Sequence, residues 1–431
     1  MCKFSFGAVN DVQHSSLPRR GGLGLLVLFA AAFLTITTET LPMGLLPQMS
    51  KGLGTSESQV GLLVAVYAFV IMVVTLPLAS WTARWPRRRL FLGIMAAFAV
   101  SNLLMALAPS FPVAIVGRLV AALVHGVLWS MMAAYATRMV TPERAGRAVA
   151  TVYAGNSAAL SLGVPLGTAM GNELGWRSAF VALAVAAAVI TALAPALLPQ
   201  APGARSSDSS VAKAFRIPGV LAIALATTLI MLGHFTLYTY VAPYLAHAGV
   251  TEQAVSPVLF AFGVAGIAGV WCAGLLVDRR PRGALLGAVG IMVLALAGLA
   301  AFGSFTPATI ALTVVWGLAY AALPTFLQSA ALKAAGTAQA AASALFIIGF
   351  NLGIGGGSLV GGQILDNLGA PALPAVAAVL AALAWLLVLG ARTSAFPRRP
   401  HSRSVVGAGF TPEAVPAHAT TEPRPEASVQ S

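Results

Sequence analysis

The sequence predicts an all-α integral membrane protein with twelve transmembrane helices in two pseudo-symmetric six-helix bundles. Three observations predict it. Apolar residue types make up 58% of the 431 residues and charged types 9%, where a soluble domain carries about 25% charged residues. The chain divides into twelve apolar runs, each near the length of about 20 residues that a helix needs to cross the hydrocarbon core. The second half also repeats features of the first at a single offset.

In order, the runs cover 22–47, 58–82, 90–108, 111–136, 148–171, 178–198, 218–246, 256–277, 283–303, 308–331, 339–365 and 371–391. The first follows Lys3, Arg19 and Arg20, which look like the basic region of a secretory signal. It is too long for a signal core and no A-x-A site follows, so it reads as an uncleaved first span. The joints at Pro109 and between Gly369 and Pro371 are tight, which leaves eleven or thirteen spans as alternatives to twelve. The polar stretch 199–217 parts the runs six and six and has the composition of a flexible linker. The expected organisation is therefore a cytoplasmic leader 1–21, a bundle 22–198, a cytoplasmic linker 199–217, a bundle 218–391 and a tail 392–431. The tail is rich in Pro, Ser, Ala, Thr and charge, a composition that predicts disorder.

Charge gives the orientation. The net charge is +13, yet of 25 basic residues only Lys51 and Arg177 fall in loops opposite the N-terminal side, and Arg118 falls inside a span. The other 22 lie on one side, and the positive-inside rule makes that side, with both termini, cytoplasmic. The basic residues are topological anchors, which argues against a nucleic-acid partner and for a lipid one. Two cysteines, Cys2 and Cys272, cannot build a disulfide framework or a cysteine metal site.

The repeat has an offset of 195 residues. Ala83 to Arg87 (A-R-W-P-R) aligns with Asp278 to Arg282 (D-R-R-P-R), Asn156 with Asn351, Gly167 with Gly362, Glu39 with His234 and His125 with Tyr320. Transporters built from such repeats hold substrate near the bilayer midplane, between the halves.

Away from span ends, the ionisable groups inside the runs are Glu39, Arg118, His125 and His234. A charge at mid-bilayer costs roughly 2.5–3.5 kcal/mol on insertion scales, so such groups face a cavity or a partner. Helical phase lines them up with other polar or aromatic residues. Thr35, Thr38, Glu39 and Pro42 share a stripe in span one, and Arg118, His125 and Trp129 one in span four. Thr227, His234 and Tyr238 share one in span seven, and Thr313, Trp316, Tyr320 and Leu327 one in span ten. Glu39 and Arg118 lie at one depth, roughly 10 Å below the far surface at 1.5 Å per residue, so an ion pair between them is geometrically open. The pair either binds proton or substrate or only holds the bundle together. His125 either carries protons, as imidazole can near neutral pH, or hydrogen-bonds across helices, and His234 has the same two readings. The rings of Trp129, Tyr238, Trp316 and Tyr320, with Thr35, either contact a ligand or pack. Asn156 and Asn351 read as hydrogen bonds between helices. No Walker loop, H-E-x-x-H or nucleophile elbow occurs, so neither an enzyme nor an ATP-driven pump is indicated.

The stretch from Gly117 and Arg118 to Gly126, T-P-E-R-A-G-R from Thr141 to Arg147, the run Gly155 to Thr168, and L-G-W-R-S-A-F from Leu174 to Phe180 resemble one family. So does T-E-T-L-P-M-G-L-L-P from Thr38 to Pro47. The chain resembles the major facilitator superfamily, in its twelve-span drug:proton antiporter group, of the chloramphenicol-resistance and arabinose (sugar) efflux type. The resemblance covers about residues 20–395. It implies the major facilitator fold, alternating access and a central cavity lined by spans one, four, seven and ten. Glu39, Arg118, His125 and His234 would then couple protons, and Thr35, Trp129, Tyr238, Trp316 and Tyr320 would face substrate. Gly163, Pro165 and Gly167 match the G-x-P-x-G core of the fifth-span antiporter signature. Arg84, Arg87, Asp278 and Arg279 match the cytoplasmic gate loops, although Ala83 replaces the acid in the first copy. The implied function is proton-coupled export of small amphipathic molecules such as amphenicol-type drugs by a monomer in a bacterial inner membrane. The proton gradient would be the energy source, with no metal or other cofactor. A dedicated sugar or purine/nucleoside exporter is the alternative, ahead of a proton-symport importer or a non-transporting membrane protein.

Overall fold

The computed structural model describes residues 17–203, 215–336 and 338–391. The expected leader up to residue 16, the linker core 204–214 and the tail 392–431 lie outside the described residues. Among the described residues, twelve helices are long and apolar enough to cross a membrane. The first six are Gly21–Gly44, Glu57–Thr82, Arg87–Leu107, Phe111–Thr137, Pro142–Leu174 and Trp176–Leu197. The second six are Gly219–Tyr238, Glu252–Leu276, Pro281–Phe302, Thr306–Ala335, Gln339–Leu368 and Ala370–Gly390. They are spans one to twelve below. The two tight joints prove to be real breaks. Ala108 is extended between spans three and four, and Gly369 takes a φ of 79° between eleven and twelve, a left-handed conformation that favours glycine.

The halves pair their helices identically. Spans one and five, two and four, and three and six pack together, as do seven and eleven, eight and ten, and nine and twelve. The bundles meet through span two against eleven and span five against eight. Apolar side chains such as Leu294, 73% exposed, point outward, while Thr, Asn, Arg and His side chains lie inside. The interior is still mostly apolar, and the apolar exterior suits a lipid environment, where burial of apolar groups between helices gains little. Lone hydroxyls are accommodated by bonding their own helix: Thr37 and Thr40 each donate at 2.7 Å to the carbonyl four residues back, as Ser and Thr in helices do.

Two of the apolar runs are shorter as helices than as sequence. The run 22–47 breaks at Leu45, followed by a short helix Leu46–Leu53. The run 218–246 breaks around Tyr240, followed by Val241–His247. Leu45 and Tyr240 are equivalent in the repeat and share a backbone conformation, φ −105° ψ 8° and φ −111° ψ 27°. Pro47 and Pro243 explain the breaks, since a proline removes an N–H and clashes with the carbonyl four residues earlier. The expected linker also begins as fixed structure. Pro199, Ala201 and Pro202 accept hydrogen bonds from Tyr135, from the Arg87 main chain and from Arg138.

With spans alternating in direction, both ends of the described chain come to one face, termed proximal here. Arg282 at the start of span nine donates to Leu389 O at the end of span twelve, at 3.0 Å. The opposite face is distal.

Candidate functional site

Span one carries Pro42 inside its helix. Because Pro42 has no N–H, the carbonyl of Thr38 lacks its helical donor. Arg118, 1% exposed, supplies one: Nη1 donates to Thr38 O at 2.6 Å. Its Nη2 donates to Glu39 O at 2.9 Å and its Nε to Leu63 O at 3.2 Å. The guanidinium also lies 4.1 Å over the Tyr67 ring. Three main-chain carbonyls on spans one and two thus hold the charge.

The expected Glu39–Arg118 ion pair is therefore not what forms. The shared depth is correct, but Arg118 takes Glu39 by its main-chain oxygen. The carboxylate turns to His125, with Oε2 3.7 Å from Nε2. The other ring nitrogen of His125, Nδ1, lies 2.8 Å from the Tyr67 hydroxyl. When Tyr67 donates to Nδ1, Nε2 carries the ring proton and faces Glu39. Glu39, His125, Tyr67 and Arg118 form one connected group, and Glu39 is its member on the cavity.

That cavity lies between the bundles. Its N-terminal wall includes Glu39 and Thr40 of span one and Asn156, Ser157 and Ser161 of span five. Its C-terminal wall includes Phe235, Phe262, Tyr320 and Phe350, from spans seven, eight, ten and eleven. Among the residues expected to face substrate, Tyr320 alone lines it. Thr35 is fully buried and bonds Ala32 O, because the cavity takes the 36, 39, 40 edge of span one rather than the 35, 38, 42 edge. The latter edge turns inward, where Thr38 meets Asn102 of span three. Trp129 packs on Tyr153 with ring centroids 5.3 Å apart. Tyr238 and Trp316 sit behind the wall. Span four gives the cavity no lining residue, since Arg118 and His125 stand behind Glu39.

His234 does not join the Glu39 group. It is 1% exposed and stacks parallel to Tyr320 at 3.3 Å between centroids, with Tyr238 on it at 4.9 Å and Trp316 at 5.0 Å. Among the described residues, neither ring nitrogen has a hydrogen-bond partner. The repeat position that carries an acid in the first half thus carries an aromatic cluster in the second.

The fifth-span signature is a packing device. The helix widens to a π turn over Ala159–Gly163, two residues ahead of Pro165. A side chain at Gly163 would strike Thr37, and one at Gly167 would strike Leu41, so span five lies tight on span one. Across the bundles, Ser161 donates to Gly263 O at 2.8 Å, and Ser256 donates back to Pro165 O at 2.7 Å. Further toward the distal face, Gln48 donates to the Glu252 carboxylate at 2.9 Å, and Asn172 to Glu252 O at 2.8 Å. On the opposite side, Ser358 donates to Gly61 O at 2.8 Å, and Tyr240 donates to Ser358 O. Among the described residues, the hydrogen bonds that join the bundles lie at mid-depth or distally. The gate residues sit at the proximal face. Asp278 pairs with Lys333 at 3.2 Å within the C-terminal bundle, and among the described residues Arg84, Arg87 and Arg279 form no ion pair.

Residues 28–346 match the Major Facilitator Superfamily. The chain belongs to that superfamily. It is a multi-pass membrane transporter of the major facilitator fold. Its relatives include a chloramphenicol efflux pump of Mycobacterium tuberculosis (strain ATCC 25618 / H37Rv), 37% identical over 367 residues, which are 83% of this chain and 89% of that protein. A probable sugar efflux transporter of Mannheimia succiniciproducens is 33% identical over 377 residues, 86% of this chain and 95% of that protein. Among solved structures, a bacterial homologue of the human lysosomal transporter Spinster, in an inward-facing and occupied conformation, matches with a TM-score of 0.71. It is 16% identical, over 88% of this chain and 98% of that one. That likeness is one of fold.

Several residues of this facilitator's site were not singled out from sequence: Tyr67, Phe235, Phe262, Ser157, Ser161 and the trio Gln48, Asn172 and Glu252. The sequence reads Asn156 and Asn351 as hydrogen bonds between helices, yet Asn156 lines the cavity and Asn351 bonds Ile347 O in its own helix. A tyrosine midway along span two was the one available signal for Tyr67, because a buried hydroxyl needs a partner.

Proposed function

We propose that the protein is a proton-coupled exporter of small amphipathic molecules, of which amphenicol-type drugs are the favoured class. The observation that carries this reading is Glu39: a carboxylate on the cavity wall, backed by His125, with Arg118 held on main-chain carbonyls and so kept off it. Facing the outside, Glu39 takes a proton; facing the cytoplasm, it gives the proton up as substrate enters. Proton and substrate compete for one wall, and that competition makes exchange obligatory. The name of the mycobacterial relative supports the drug class. The relative named for sugar efflux, with the polar N-terminal wall, favours a sugar exporter as the second reading.

In this proposal the proximal face is cytoplasmic, by the positive-inside rule. The distal hydrogen bonds then close the outer side, and the bundles rock about the cavity. Asp278, Arg279, Arg84 and Arg87 belong to the gate that closes the cytoplasmic side in the opposite conformation. His234 supports the aromatic wall. The cavity is complete within one chain, which fits a monomer in a bacterial inner membrane driven by the proton gradient. The test is uphill efflux of chloramphenicol from proteoliposomes with an imposed pH gradient. Glu39→Gln, which mimics the protonated acid, abolishes accumulation against a gradient and spares downhill exchange. Wild-type coupling in Glu39→Gln would overturn the mechanism.

A further inference from the structure

The two walls of the cavity have different chemistry. On the N-terminal side, Thr40 spends its hydroxyl proton on Ile36 O and Ser161 spends its own on Gly263 O. The side chains of Asn156 and Ser157 are half-buried and line the cavity. Neither has a hydrogen-bond partner among the described residues. With Glu39 they present an amide, a hydroxyl and a carboxylate to one side of any occupant. On the C-terminal side, Tyr320 turns its hydroxyl away, to Met231 Sδ at 3.7 Å, so it joins Phe235, Phe262 and Phe350 as a ring surface. The repeat sharpens the contrast. Asn351, the mate of Asn156, is 7% exposed and is bonded inside its own helix. One copy of the asparagine is consumed by structure and the other is free at the cavity.

We propose that Asn156 and Ser157 are specificity-determining residues that read the hydroxyl and amide groups of the substrate's polar head. The rings of Phe235, Phe262 and Tyr320 hold its aromatic end. The inference rests on the exporter reading and names the class of molecule: a neutral arene carrying a short head with hydroxyl and amide donors. Asparagine offers two N–H donors and one acceptor, and serine one donor and two acceptor lone pairs. A site that hydrogen-bonds a substrate hydroxyl discriminates against an analogue lacking it far better than an apolar pocket discriminates by size.

Thiamphenicol and florfenicol supply a matched pair. They share ring and amide, and florfenicol carries fluorine where thiamphenicol has its terminal hydroxyl. Calorimetric titration of the purified full-length protein should show thiamphenicol bound about tenfold tighter, the equivalent of one well-made hydrogen bond. Asn156→Leu, of similar size, and Ser157→Ala should each bring that ratio toward one. Florfenicol keeps the amide and the other hydroxyl, so it should lose less affinity than thiamphenicol in each variant, and an unfolding midpoint near that of wild type reports that the variants are folded. Phe262→Ala should weaken both drugs equally and keep the ratio. An unchanged ratio in both polar variants overturns the inference, as does a wild type that does not discriminate or that binds neither drug. Uphill thiamphenicol export with an unchanged ratio in the variants leaves the exporter reading standing and removes the inference. A ratio that collapses as expected without uphill export does the reverse.

Discussion

Arg118 holds Glu39 by its main-chain carbonyl, at 2.9 Å, and leaves the carboxylate to His125. A buried guanidinium normally has an acid for a partner. Here a proline-freed carbonyl and two others do that job, which keeps the acid available on the cavity.

This arrangement makes the shape of the cation as important as its charge. Lysine keeps the charge but cannot fork to three oxygens. With charge-assisted hydrogen bonds worth about 1.5–3 kcal/mol each, Arg118→Lys should lose about 3 kcal/mol of stability. The unfolding midpoint in detergent should fall by about 5 °C or more. An unshifted midpoint would show that the fork does not hold spans one, two and four together.

Tyr67→Phe removes the hydroxyl beside His125 Nδ1 and little else. The orphaned nitrogen costs about 1–3 kcal/mol, and nothing then selects the tautomer that faces Glu39. Uphill efflux should slow roughly tenfold with a changed dependence on pH, while downhill counterflow stays near wild type. Initial rates across a pH series in proteoliposomes separate the two effects. An unaltered pH profile would detach Tyr67 and His125 from coupling.

Glu252→Ala removes the carboxylate that accepts from Gln48. A net hydrogen bond of about 1 kcal/mol corresponds to roughly a fivefold shift between conformations. Spin labels at Lys51 and Gln253, both exposed on the distal face, should report a larger population of long distances. If that distribution matches wild type, the distal trio does not set the balance.

Orientation has its own test. In a background without Cys2 and Cys272, Arg280→Cys should react with an impermeant maleimide only from the cytoplasm, and Lys51→Cys only from outside. Both positions are exposed. Labelling of position 280 from outside would invert the topology.

The fold was legible because membrane crossing is written in composition. Twelve apolar runs became twelve helices, and Pro109 and Gly369 marked true joints. The breaks at Leu45 and Tyr240 were hidden because the flanking residues are as apolar as the helices around them, and proline within a span is tolerated. The site was legible in depth but not in azimuth. Glu39 and Arg118 were matched along the membrane normal, yet residue spacing cannot say whether a guanidinium meets a carboxylate or the carbonyl behind it. A stripe through Thr35 and Thr38 is as polar as the one through Glu39 and Thr40, and only the packing against Asn102 decides which faces the cavity. Asn156 and Asn351 are indistinguishable by repeat alignment and differ only in what surrounds them.

The unlike walls also separate two kinds of evolutionary change. Replacing Phe235, Phe262 or Tyr320 alters the shape of the cavity without adding or removing a charge, and leaves Glu39, His125 and Arg118 of the other half untouched. The two repeats thus differ in the kind of change they admit: ring for ring in the second, and in the first only what leaves a hydrogen-bonded charged group intact. Changes at these rings should alter the shape that the cavity accepts, whereas changes at Asn156 or Ser157 should alter the polar groups that it reads.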